Sequence, residues 1–138
     1  MSRHLQVYLF AVNIYIISYY DIDSKLSTYL EVNPELKKFE FNAPFEPERI
    51  IITRYRTGSH NLKIETGRMC QPPIPREDRL CFCRTDLQTL RHCLLHCPLL
   101  IAQRERYNFT SVETAMNELN TSKYLSEMEN VYKNFHNT

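Results

Sequence analysis

The chain has 138 residues, a net charge of +1, 43% hydrophobic and 24% charged residues, which suits one small globular domain. Gly58 and Gly67 are its only glycines; this excludes a Gly-rich phosphate loop and favours helices over tight-turned β structure. The charge is unevenly spread, at −2 over residues 1–53, +5 over 54–106 and −2 over 107–138, a modest hint of an anionic partner for the middle of the chain.

In chain order, residues 5–20 come first, an apolar, β-branched and aromatic stretch running from Leu5 through Phe10 to Tyr20. It falls short of the roughly 20 residues that span a bilayer, and Asn13 interrupts it. It reads as a buried strand or helix, within an N-terminal segment 1–23 that is left unplaced. Ser24 then caps a short helix over 24–31 carrying Leu26, Tyr29 and Leu30. Residues 32–47 are broken by Pro34, Pro44 and Pro47. A helix is expected over Glu48–Arg56, with Glu46 and Glu48 at its positive end and Gly58 stopping it. Ser59 is expected to cap the next helix, which runs to about Thr66, with Gly67 as its stop. The prolines at 72, 73 and 75 make 70–80 a loop. Thr89 caps a helix over 90–96, and Pro98 opens another through Tyr107. Ser111 caps a helix to Leu119. Ser122 caps the last, whose apolar face holds Tyr124, Leu125, Met128, Val131, Tyr132 and Phe135. The expected fold is all-α, a small irregular bundle of five or six short helices, with minor β structure allowed near the N-terminus.

The chemistry concentrates between residues 81 and 97. Cys81-Phe82-Cys83, then His92, then Cys97 spells C-x-C-x8-H-x4-C. Three thiolates and one imidazole form a donor set for tetrahedral zinc. The count of five cysteines is odd, and no signal-peptide pattern is visible. A reducing, intracellular compartment with a metal-binding cluster therefore fits better than a disulfide framework. Cys81 and Cys83 can point one way from a tight loop. His92 and Cys97 are harder, because five residues rotate about 500° on a helix. The last turn must loosen, and Pro98 helps by disfavouring the αR region at Cys97. Two rival pairs share a helix face better: Cys93 with Cys97, and His92 with His96. Cys93 sits in an apolar run and reads as core, His96 as exposed, and Cys70 as a plain thiol. Spacing alone does not choose among the pairs.

The flanking residues carry a resemblance. They are Arg54-x-Arg56-x-Gly58, His60-Asn-Leu62-Lys-Ile64-Glu65-Thr-Gly67-Arg68, the proline loop, Arg79-Leu-Cys81-Phe-Cys83, and Thr89-x-x-His92-x4-Cys97-Pro98, then Arg104. This order resembles the C-terminal zinc-binding segment of LINE-type (non-LTR) retrotransposon reverse transcriptase polyproteins, over roughly residues 24–107. The resemblance implies ligands Cys81, Cys83, His92 and Cys97 around a structural Zn2+, with Cys93 in the core. It also implies a fragment or descendant of a retroelement polyprotein, with 24–107 as a helical zinc-binding domain followed by C-terminal helices over 108–138. Three departures stand out. Arg91 replaces an acidic residue common before the histidine, residues 1–23 match nothing in the pattern, and no Tyr-x-Asp-Asp polymerase or endonuclease motif is present.

The expected function is a non-catalytic, zinc-stabilised module that binds DNA or RNA in the nucleus or cytoplasm. Arg54, Arg56, Lys63, Arg68, Arg79, Arg84 and Arg104 would contact phosphates, while Tyr55 and Phe82 would stack on bases. The bland alternative is that Arg54 and Arg56 solvate a helix face or pair with Glu48 and Glu65. A helical protein-interaction or structural domain, docking on a parent polymerase domain or another protein, and a functionless relic are the competing readings. Cys-His catalysis is disfavoured because no orienting acid or oxyanion loop is visible. No small-molecule substrate and no membrane association are expected.

Overall fold

The computed structural model describes residues 24–38, 45–118 and 120–136. The apolar stretch at 5–20, with the rest of segment 1–23, lies outside them. Among the described residues the fold is all-α, a small bundle of seven helices joined by two short 3₁₀ turns. The β structure there is a single antiparallel bridge, Leu80 to Leu87.

Local signals start most helices. Helix α1 spans Lys25–Val32, and the Ser24 hydroxyl accepts the Ser27 N–H at 3.1 Å. Helix α2 spans Glu46–Arg56, with Pro47 in its first turn, where a missing N–H costs nothing. Gly58 follows it at φ 71°, the left-handed conformation that ends a helix. Helix α4 spans Leu90–Leu95, and the Thr89 hydroxyl accepts the His92 N–H at 3.1 Å. A 3₁₀ turn over Pro98–Leu100 leads into α5, Ile101–Arg104, so the expected helix to Tyr107 is a turn and a single short coil. Helix α6 spans Val112–Met116 behind a Ser111 cap, ending short of the expected Leu119.

Helix α3, Lys63–Met69, departs from expectation at both ends. Ser59 does not cap it. The Gln88 side-chain oxygen accepts the Lys63 N–H at 2.8 Å, and the Gln88 carbonyl accepts the Ile64 N–H at 3.4 Å. Gly67 lies inside the helix rather than stopping it. A Cβ there would meet the Arg79 side chain at 2.7 Å, so the glycine makes room for a crossing arginine.

Helix α7, Thr121–His136, is the spine. It packs along α2, α5 and the Pro98–Leu100 turn, while α6 lies against α1, α2 and α4. Of its expected face, Tyr124, Leu125, Met128 and Tyr132 are buried, Val131 is half-buried and Phe135 is exposed. Ser122 is buried inside the helix, which begins one residue earlier than the expected cap. The core gathers Ile51, Ile52, Tyr55, Leu90, Leu94, Leu100, Met116 and Leu125 around the sulfurs of Cys81, Cys93 and Cys97. Each such side chain contributes about 1.5–3 kcal/mol by leaving water.

Candidate metal centre

A short knuckle carries the first two cysteines. The Cys81 N–H donates to Asp86 O and the Gln88 N–H to Arg79 O, both at 2.9 Å. Between them the Arg84 N–H closes a tight turn onto Cys81 O at 2.9 Å, with Arg84 itself at φ 61°. A non-glycine residue pays roughly 1 kcal/mol for that conformation, so contacts on either side must hold the turn. The result places both sulfurs in one cluster, as the spacing required.

The other two side chains depend on how α4 ends. The N–H groups of His96 and Cys97 both donate to His92 O at 2.8 Å. The second bond reaches back five residues, a widened final turn. Cys97 then turns out of the helical region, at φ −60° and ψ 120°, ahead of Pro98. The Arg104 guanidinium donates to Cys97 O at 2.6 Å and fixes the released carbonyl. The loosening swings Cys97 onto the side of His92.

The ligand atoms of Cys81, Cys83, His92 and Cys97 all lie within 4.8 Å of one another. Cys81 Sγ stands 3.7 Å from Cys97 Sγ, and Cys83 Sγ stands 3.2 Å from His92 Nε2. A tetrahedron with metal–sulfur bonds of 2.3 Å has edges of about 3.8 Å, so the cluster is sized for one ion. Cys81, His92 and Cys97 are buried and Cys83 is half-buried. No disulfide ties these cysteines. The four residues form a cluster that could hold a metal ion. His96 is exposed and Cys93 lies in the core, so neither rival pair replaces this set. Cys70 Sγ is half-buried and donates to Thr66 O at 3.3 Å.

The clustered sulfurs act on one another's ionisation. Hydrogen bonds with the Cys93 and Cys97 thiols, against the cost of burial, hold the Cys81 pKa far below the ordinary thiol value. The Cys83 N–H adds a backbone donor to the Cys81 sulfur, as the Leu99 N–H does to Cys97. The Cys97 thiol is pushed up by its bond to Cys81 and by burial, and Cys93 is pushed up by burial. A divalent cation would let Cys81, Cys83 and Cys97 all ionise. The Tyr132 hydroxyl, 3.2 Å from Cys93 Sγ and 3.5 Å from Cys81 Sγ, ties the spine helix to the cluster. Tyr124 anchors it again through a hydroxyl bond to Cys93 O. His92 Nδ1 is buried with no protein partner.

The basic residues separate into different roles. Arg56 is buried and donates to Met116 O at 2.9 Å, which pins α6 to α2. Arg79 is buried, donating to Ile74 O at 2.9 Å and Ile64 O at 3.1 Å. These two guanidiniums satisfy backbone carbonyls and do not offer themselves to phosphates. Arg104 is half-buried on Cys97 O. Arg54 pairs with Glu129 at 3.5 Å, and Arg68 with Glu65 at 2.5 Å. Lys63 is half-buried with its ammonium 4.0 Å from the Phe82 ring centroid, and Arg84 is exposed beside Cys83. Tyr55 is buried, stacked on His60 and bonded through its hydroxyl to Glu129 at 2.9 Å, so it is core and not a base-stacking platform. Phe82 is half-buried against Tyr132, Phe135 and His136.

Sequence reasoning missed Gln88, Tyr132 and the Gly67–Arg79 pair. Tyr132 carried a signal, because it lies on the expected apolar face with a hydroxyl that needs a buried partner. No described helix is long and apolar enough to cross a membrane. Comparisons with protein-family models, with curated proteins and with solved structures give no match to this chain.

Proposed function

We propose that this chain is a non-catalytic, zinc-stabilised nucleic-acid-binding module, related to the C-terminal segment of LINE-type retrotransposon polyproteins. The observation that carries the reading is the buried cluster of Cys81, Cys83, His92 and Cys97. Four protein ligands complete a tetrahedron and leave no position for water or substrate, which is the character of a structural zinc site. Zinc is favoured over harder cations by the three thiolates. Its role is to clamp the knuckle at 79–88 against α4 and, through Tyr132, against α7.

Nucleic acid is the partner that the basic middle of the chain suits. With Arg56 and Arg79 committed to carbonyls, the exposed cation of the expected set is Arg84; Lys63 is half-exposed over Phe82, and Arg54 and Arg68 are half-exposed in ion pairs. Arg84 sits at the knuckle tip in a conformation that glycine would adopt more cheaply, consistent with a side chain kept for a contact. Phe82, under the Lys63 ammonium, offers a partly exposed aromatic edge. Such a surface binds backbones with little sequence preference and strong salt dependence.

Fluorescence anisotropy with single-stranded and duplex DNA and RNA over a salt series tests this. The expected result is binding that weakens as salt rises. The double substitution Lys63→Glu with Arg84→Glu should reduce the salt slope by about one to two units, near 0.7–0.9 per lost phosphate contact. Affinity no better than millimolar at low salt would contradict the nucleic-acid reading while leaving the metal centre standing.

A further inference from the structure

Tyr132 reaches the cysteine cluster from the spine helix, and its hydroxyl, not its ring, sets it apart. The ring packs against Phe82 with centroids 5.7 Å apart, and a phenylalanine ring would pack there as well. The hydroxyl is carried in among sulfurs. Its oxygen lies 3.2 Å from Cys93 Sγ and 3.5 Å from Cys81 Sγ, and it also reaches Cys97. Tyr132 is 5% exposed, Cys81 1%, and Cys93 and Cys97 0%, so water does not stand in for these partners. A buried tyrosine hydroxyl usually finds a hydrogen-bond partner. A neutral thiol is a weak one.

The partner becomes strong when the sulfur ionises. A cysteine ligates a metal as the thiolate, which has no proton to donate. With Cys81 a thiol, its S–H donates to the tyrosine oxygen and the tyrosine O–H donates to Cys93 Sγ. With Cys81 a thiolate, the proton between the two groups is the tyrosine's, and the hydroxyl can rotate to present it to Cys81. A hydrogen bond to an ionised acceptor is roughly twice as strong as one between neutral groups. Tyr132 therefore stabilises the metal-binding form of Cys81 more than the protonated form. Cys93 lies outside the ligand set and is fully buried, which favours its neutral thiol. Its S–H then has the tyrosine oxygen as an acceptor.

We propose that Tyr132 is a positioning residue for the metal, its O–H donating to Cys81 Sγ in the loaded site while the Cys93 thiol donates to the tyrosine oxygen behind it. The proposal rests on the zinc reading of the cluster and adds to it an outer layer of donors from α7 and α4. It makes the spine helix part of the metal's support, beyond its packing role.

The test loads the full chain with zinc and, separately, with cobalt(II), whose sulfur-to-metal charge-transfer band reports on the bound thiolates. Tyr132→Phe removes the hydroxyl and keeps the ring. Its zinc affinity, read by competition with a chromophoric chelator, should fall tenfold or more, on the order seen when a ligand's outer partner is lost. At saturating cobalt the band should move to longer wavelength, because a thiolate that loses a hydrogen bond gives up its electrons more easily. A role in packing alone would leave the band in place. Cys93→Ala is the second variant; it keeps the tyrosine and should move the band the same way by less. Wild-type affinity and band position in Tyr132→Phe would overturn the proposal while leaving the metal centre standing. Should Tyr132→Phe not fold, a Cys93→Ala band that coincides with wild type overturns it instead. A wild-type chain that takes up neither metal overturns this proposal and the zinc reading together.

Discussion

Gly67 and Arg79 are one device split across twelve residues of sequence. The Arg79 side chain crosses α3 where Gly67 has no Cβ, and its N–H groups satisfy carbonyls of Ile64 and Ile74. Gly67→Ala should therefore destabilise by about 1–3 kcal/mol, since the neighbour must move from a buried position. Urea denaturation of the single variant, of Arg79→Ala and of the double variant checks this. The two costs should be non-additive, because the clash vanishes with the arginine. His60 supplies a second residue-scale prediction. Its folded pKa is about 4, against 6.5 for the ordinary side chain. Between those values the unfolded chain binds the proton and the folded chain does not. Stability should therefore fall as pH drops from about 6.5 to 4, by roughly 3 kcal/mol, and this loss should stop below pH 4. Thermal melts of wild type against His60→Gln isolate the effect, and parallel curves across that window would contradict it. Neither role could be read from sequence. Glycine at 67 looks like a helix stop, and an arginine two residues before a cysteine looks like a surface cation, until tertiary packing shows both buried.

At the scale of elements, the helix starts that use their own neighbours were legible, and those that use distant residues were not. Ser24, Thr89 and Ser111 each accept an N–H three residues on, so their signal lies in the local spelling. The start of α3 is capped by Gln88, 25 positions from Lys63, and no local pattern records that. The end of α4 was legible because Pro98 constrains Cys97, and the widened turn appears where the arithmetic required it. Thr89 has a double role. It caps α4 through the N–H of His92, a proposed ligand. Thr89→Ala should cost about 1 kcal/mol of stability. It should also weaken zinc affinity, measured by competition with a chromophoric chelator, by up to the tenfold or more expected when a ligand's support is lost. Gln88→Leu should destabilise α3 by a similar or larger amount, because Lys63 loses its acceptor in a part-buried setting.

Over the whole molecule, the cysteine cluster is where separate elements meet. The knuckle brings Cys81 and Cys83, α4 brings His92, its unwound end brings Cys97, and Tyr132 brings the spine helix. The all-α class was legible because glycine is scarce and capped apolar patterns recur. The four-residue cluster was legible only in part. Spacing alone left Cys93 and His96 as rivals, and the choice lies in the backbone's departure from helix at Cys97. The seven expected phosphate-binding cations were the least legible group, since a charged residue's partner is decided by chain folding at long range. Arg56 meets Met116, 60 positions away. If the cluster holds the proposed zinc, a small domain built around it should lose its folding cooperativity when the metal is removed. The most direct measurement is zinc content of the purified chain by mass spectrometry under native conditions, alongside Cys83→Ser and Cys93→Ala. The account predicts one zinc per chain in wild type and in Cys93→Ala, and loss or marked weakening of zinc in Cys83→Ser. Wild type purified without metal from zinc-replete medium, or full zinc retained by Cys83→Ser, would contradict it.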